Sequence, residues 1–347
     1  MIQALLAAVL FGASAPLAKL LLGVSEPIPL AAFLYLGSGF GLALFRSLQR
    51  RISREAPAEA HLDRDDLPWL AGAILAGGVG APLALLFGLR HTPAATASLL
   101  LNFEGVATAL IAALVFKEAI GRRAFWAMGL VTLASVLLSW DAGGRWGFSP
   151  GALGVLGACL LWGLDNNFTR NISAKDPLAI TAVKGLGAGT FSLVLAAVLG
   201  NPFPDLFIAV KAMALGSVSY GASIVLFILA MRSLGAARTS TLFSTAPFVG
   251  AALSFVLFRE TPGALFAVAV PVMAGGAALL LGEEHGHLHR HPFLQHEHRH
   301  SHDDGHHTHE HAEGGLPPGG CHSHPHTHDG VEHSHPHAPD IHHRHRH

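Results

Sequence analysis

Ten stretches of this chain are apolar for the length of a bilayer crossing, and nothing else in the sequence limits its fold as much. They cover residues 2–22, 28–45, 67–88, 93–116, 124–140, 150–169, 177–199, 206–230, 236–258 and 261–282. A helix needs roughly 17 to 25 apolar residues to cross the hydrocarbon core. No water reaches the backbone there, so each run must satisfy its own amides and carbonyls as a helix. Charged residues make up 13% of the chain, against about 25% in soluble domains. The formal net charge of −1 gives no field to attract nucleic acid. The expected fold class is an all-α membrane protein of ten transmembrane helices, with the lipid bilayer as its first partner.

The first run is expected to be a retained helix. Ala13-Ser14-Ala15 resembles a leader-cleavage site, but no basic residue precedes Lys19 and Pro16 would follow the cut. Cys159, inside a run, and Cys321, near the end, cannot build a disulfide framework. With the N-terminus placed in the cytoplasm, the inside loops hold Arg46, Arg50, Arg51, Arg54, Arg64, Lys117, Arg122, Arg123, Arg170, Lys175, Arg232 and Arg238. The outside loops hold Arg90, Arg145 and Arg259. Basic loops stay inside. Both termini are therefore expected to be cytoplasmic, in a bacterial inner (plasma) membrane.

The chain also repeats itself. Arg90–Glu118 aligns without gaps with Arg232–Glu260 at an offset of 142, matching Ser98 to Ser240, Phe116 to Phe258, Lys117 to Arg259 and Glu118 to Glu260. At an offset of 151, Gly12 matches Gly163 and Lys19 matches Arg170. Two units of five spans follow, residues 1–140 and 149–282, with a third segment at 283–347. An odd number of spans per unit inserts the second unit upside down. Inverted repeats are a recurring secondary-transporter plan, with the substrate site near the midplane.

The repeated "VFKE" and "LFRE" ends, the "LWGLDNNFTR" stretch and Pro247 within "STAPFVGAALSFVLFRE" resemble the drug/metabolite transporter superfamily, EamA type, over residues 1–282. The resemblance implies a secondary carrier, often an efflux permease, for amino acids, metabolites, sugars or drugs. It leaves the substrate open. Two features depart from it. Glu104-Gly105 stands where the second unit has Ala246-Pro247, and residues 283–347 are an addition.

A carboxylate at bilayer depth costs about 2.5–3.5 kcal/mol on insertion scales and marks a functional candidate. Glu104 is such a residue. It could bind a cation or carry a proton, and Thr108 and Asn102 stand near it. Asp165, Asn166 and Asn167 form a second group, and Lys184 is a cation well inside its run. These seven residues are the candidate transport path. Lys184 could partner Glu104 or Asp165, or face an anionic substrate. Lys19 and Lys211 lie close enough to span ends to snorkel. The pairs Gly37/Gly41 and Gly185/Gly189 have the spacing of tight helix contacts.

The last 65 residues hold 23 of the 25 histidines. Few residues of this segment are apolar, so it is expected to be disordered without metal. Its histidines alternate: His285, His287, His289 and His291; His296, His298, His300 and His302; His322, His324, His326 and His328; His333, His335 and His337. With Cys321 they are candidate ligands for zinc, nickel, cobalt or copper ions, bound when the imidazoles are neutral. No cofactor is required for transport.

No nucleophile–base set, phosphate loop or HExxH motif is present, so no enzyme is expected. The leading expectation is an exporter of a transition-metal ion or metal-linked solute. The alternative is an amino-acid or metabolite exporter whose tail senses or buffers metal. A homodimer is the further protein partner considered.

Overall fold

The computed structural model describes residues 1–52, 60–116, 120–140, 148–172, 175–234, 242–280, 286–290, 294–301, 321–328 and 332–336. Arg54, Lys117, Glu118, Arg145, Arg238, Ser240, His285, His291, His302 and His337 lie outside them.

Every apolar run contains helix. The order is α1 (Ile2–Gly12), α2 (Ser14–Leu22), α3 (Pro27–Ile52), α4 (Leu67–Ala73), a π-helical segment (Ile74–Gly80), α5 (Ala81–His91), α6 (Ala94–Leu100) and α7 (Phe103–Phe116). The order continues with α8 (Arg122–Ser139), α9 (Pro150–Asn171), α10 (Pro177–Val198), α11 (Leu206–Leu215), a second π-helical segment (Gly216–Ala222), α12 (Ser223–Leu234), α13 (Ala246–Phe258) and α14 (Ala264–Leu280). Among the described residues, six stretches are long and apolar enough to cross a membrane: Ile2–Leu22, Pro27–Leu48, Leu67–His91, Ala94–Val115, Pro177–Val198 and Leu206–Phe227. Ala246–Phe258 and Ala264–Leu279 are apolar but shorter.

Local chemistry explains the boundaries. α1 gives way to α2 at Ala13, because Pro16 has no N–H to donate to the carbonyl four residues back. Ser149 caps α9, its Oγ accepting from the Ala152 N–H at 3.3 Å, with Pro150 in the first turn. Asp176 caps α10, accepting from the N–H groups of Leu178 and Ala179 at 2.9 and 3.1 Å.

The two π-helical segments start at Ile74 and Gly216, the same 142 residues apart as the sequence repeat. Both interrupt a helix at equivalent places in the two units. A π turn widens the helix by one residue and loosens its backbone ladder.

The helices touch backbone to backbone. A Cβ added to Gly185 on α10 would stand 2.7 Å from the Gly39 nitrogen on α3, and one on Gly189 2.6 Å from the Leu36 nitrogen. Gly37 abuts Met213 on α11, and Gly41 abuts Ser217 in the second π-helical segment. The interior is filled by Leu30, Leu86, Leu89, Leu99, Leu100, Val106, Val131, Val155 and Met273. Large apolar side chains also cover the outside: Leu114, Val198, Leu206 and Val256 are each at least 75% exposed. A surface of that kind suits lipid rather than water.

At the end of the bundle where α3 finishes and α10 begins, ions join the two units. Arg46 meets Asp176 at 2.5 Å, and Lys175 meets Asp63 at 2.8 Å and Asp66 at 3.5 Å.

Within the tail, the described residues are 286–290, 294–301, 321–328 and 332–336. They form β1 (Gly286–Arg290), β2 (Leu294–Ser301), β3 (Cys321–His328) and β4 (Glu332–Pro336), with β1 antiparallel to β4 and β2 to β3. The register sets His296 opposite His326, His298 opposite His324 and His300 opposite His322, and likewise His287 opposite His335 and His289 opposite His333. The alternating sequence has the period of a strand, which is the physical reason. Its polar composition offers no apolar face to fix that register beyond the backbone ladder.

Candidate functional site

The candidate site grows from a break in one helix. α6 ends at Leu100 and α7 begins at Phe103. The Asn102 Nδ2 donates to the Leu99 carbonyl at 3.2 Å, so Asn102 serves this turn rather than the cluster beyond it. The break places Glu104 in the first turn of α7, where the helix dipole favours an anion.

α9 crosses α7 there. The Asn166 Nδ2 donates to Glu104 Oε1 at 3.0 Å and to Thr108 Oγ1 at 3.1 Å. Thr108 Oγ1 donates to the Glu104 carbonyl at 2.8 Å. The Asn167 Nδ2 donates to the Thr108 and Gly163 carbonyls at 3.1 and 2.8 Å. Gly163 permits the close crossing, since an added Cβ would lie 2.9 Å from the Ala107 backbone.

α10 supplies the cation. Lys184 Nζ donates to Asp165 Oδ1 at 2.5 Å and to Thr169 Oγ1 at 3.1 Å, while Thr169 Oγ1 donates to Asp165 Oδ1 at 2.9 Å. Of the two partners considered for Lys184, Asp165 is the one it meets. Asp165 is buried, Glu104 half-buried and Asn166 exposed. The polar atoms thus run from an accessible edge to an enclosed ion pair.

Three participants were not singled out from the sequence. Tyr35 Oη and Trp162 Nε1 both donate to the Gly77 carbonyl, at 3.0 and 3.1 Å, inside the first π-helical segment. Gly77 packs against the Asp165 carboxylate, leaving no room for a Cβ. The available signal was a Tyr and a Trp in mid-span, each with a polar tip that needs a partner when buried. Beside this cluster the rings of Tyr35, Tyr220, Phe11, Phe243 and Phe227 follow one another at centroid distances of 4.8 to 6.2 Å. The result is an ion pair and a hydrogen-bonded carboxylate flanked by an aromatic wall.

The other in-run cations lie away from it. Lys19 Nζ donates to the Thr92 carbonyl, and Lys211 stacks 4.0 Å over the Phe207 ring. Cys159 is buried and free, its Sγ 3.6 Å from the Leu100 carbonyl oxygen. Among the described residues, no three His, Cys, Asp or Glu side chains gather into a set that could hold a metal ion.

Two stretches of the chain, residues 1–140 and 149–282, match the model of the EamA-like transporter family. The chain belongs to that family. An uncharacterized transporter of Methanothermobacter thermautotrophicus is 30% identical over 295 residues, covering 80% of this chain and 85% of the relative. A probable terminal-alkyne amino-acid exporter of Streptantibioticus cattleyicolor is 29% identical over 230 residues, covering 62% of this chain and 72% of the relative. A solved structure titled only as the crystal structure of a protein superposes with a TM-score of 0.57 at 21% identity, over 80% of this chain and 95% of that one, which is a likeness of fold alone. This EamA-like chain is accordingly a multi-pass membrane transporter of a small-molecule substrate, and its family is one of transporters rather than enzymes.

Proposed function

We propose that this protein is a secondary carrier that exports a zwitterionic solute of the amino-acid type from the bacterial cytoplasm. The observation that carries the reading is the pairing of opposite charges side by side within the bundle. Glu104 lies with Asn166, and Lys184 with Asp165. An α-ammonium group suits Glu104, and an α-carboxylate suits Lys184 once Asp165 yields it. The aromatic wall next to them offers a place for an apolar side chain. The relative named as a probable amino-acid exporter favours the same cargo.

The route is read as lying between two five-helix units inserted in opposite senses, with both termini cytoplasmic. The basic-residue bias of the loops supports this, as does the recurrence of the π-helical segment at the repeat offset. The relative named as a probable exporter supports the outward direction.

A second reading, export of a transition-metal ion or metal-linked solute, is favoured by the histidines of residues 283–347. The central cluster argues against a bare cation as cargo, because an ammonium already occupies Asp165. The tail then senses or buffers metal while the route carries the solute.

Proteoliposomes loaded with a panel of amino acids, and separately with zinc, nickel and cobalt ions, test the choice. Exchange of a radiolabelled amino acid is expected, and it is lost when Glu104 or Lys184 is replaced. Metal flux without any amino-acid flux would overturn the reading.

A further inference from the structure

The end of the bundle opposite the Arg46–Asp176 contact is held by a device that the transport site does not need. α13 ends at Phe258, and Arg259 turns the chain with a left-handed φ of 51°, the one positive φ at a non-glycine among the described residues. An L residue adopts that conformation at a cost, so the contacts beyond it must sustain it. The turn sends Glu260 back across the bundle to the start of α6. There Glu260 Oε1 accepts from the Ala94 N–H at 2.7 Å and Oε2 from the Ala95 N–H at 3.0 Å. Both carboxylate oxygens are used, and they satisfy two N–H groups that a helix start leaves without partners.

The same place collects further contacts. Lys19, at the end of α2, donates to the Thr92 carbonyl just before Pro93 and lies 5.7 Å over the Phe258 ring. Arg90 meets Glu26 at 3.0 Å. Gly151, in the first turn of α9, packs on His91 and Thr92. Below them α6 and α13 press together: a Cβ on Gly250 would lie 2.8 Å from Ser98 Oγ, and Ser98 is 1% exposed.

We infer that Glu260 is the latch of a gate: its double hydrogen bond holds the second unit against the first and closes the route at this end, and it must release for the solute to leave there. The latch suits that task. It joins residues 165 positions apart. It uses the two backbone donors at the start of α6, so both bonds part together when that helix swings away. A half-buried carboxylate can exchange those donors for water at modest cost.

The gate is additional to the proposed cargo and rests on that reading only in calling this end the periplasmic one. Its test needs no transport. A single reporter, Ser98→Cys, is placed in a full-length chain whose Cys159 and Cys321 are replaced by serine. Labelling by a membrane-impermeant maleimide is then timed from each side of the membrane. The parent is expected to label slowly. Glu260→Ala is expected to label about tenfold faster or more from the Glu260 side only, as loss of charge-assisted bonds shifts a two-state equilibrium by that order. Glu260→Gln, which keeps one acceptor and the shape of the side chain, is expected to fall between them and carries the test if the alanine variant does not purify as a single species. Labelling of the glutamine and alanine variants at the parental rate would overturn the latch. Absence of amino-acid exchange together with accelerated labelling would overturn the cargo and leave the latch standing.

Discussion

Lys184 and Asp165 are 2.5 Å apart within the bundle, and each is the other's charge partner. Removing one member of an enclosed pair costs roughly 3–5 kcal/mol, because the remaining charge is stranded, whereas replacing both with apolar residues is often close to neutral. Lys184→Met is therefore expected to lower both thermal stability and amino-acid exchange. Lys184→Met combined with Asp165→Leu is expected to recover stability without recovering exchange. Thermal unfolding in detergent, paired with proteoliposome flux, separates the two effects. Charge is also what made this part of the site readable in advance: Glu104, Asp165 and Lys184 stand out because ionised groups are rare in apolar runs. Asn102 shared that signal through proximity alone, yet it is spent on the Leu99 carbonyl. Tyr35, Trp162 and Gly77 gave less warning, since aromatic and glycine residues are ordinary members of such runs and their meeting depends on three different elements.

Helix placement followed from hydropathy because lipid forces each apolar run to close its own backbone bonds. The π-helical segments were not foreseeable in that way. Hydropathy reports how apolar a turn is and not how many residues it contains. Close helix contacts were readable from the Gly37/Gly41 and Gly185/Gly189 spacing, although the partner helices were not. The contacts give a sharp contrast in sensitivity. Gly185→Val forces a side chain into the Gly39 backbone and is expected to cost at least about 1–3 kcal/mol, seen as a lower melting temperature. Gly105→Ala meets nothing within 4 Å and is expected to be neutral or to stabilise α7 by roughly 0.5–1 kcal/mol.

Across the whole molecule, two predictions concern the ends of the chain and of the bundle. Deleting residues 283–347 is expected to leave amino-acid exchange intact at low metal while abolishing binding of nickel or zinc to the purified protein, measured by calorimetry. The Asp63–Lys175 contact sets a pH window. The hydrogen bond from Lys175 holds Asp63 below its ordinary value of 3.8. Burial works against the charge on Lys175, but the hydrogen bond and charge of Asp63, with Asp66, outweigh it and hold Lys175 above 10.5. A depressed carboxylate contributes fully above its unfolded value and loses that contribution as pH falls through its folded one. A raised amine contributes fully below its unfolded value and loses that contribution as pH rises through its folded one. The contact is thus expected to be constant between pH 3.8 and 10.5 and to weaken beyond either limit, so that the melting-temperature difference between the parent and Lys175→Met is flat across that range.

The irregular turns at Ile74–Gly80 and Gly216–Ala222 also speak to ancestry. A widened turn is seldom favoured locally, and the two stretches, ILAGGVG and GSVSYGA, share almost no residues. Two unrelated strings of amino acids keep one unusual backbone shape at one address in each half. That pattern is what descent from one doubled unit would leave: a backbone shape kept at a fixed address while its side chains change.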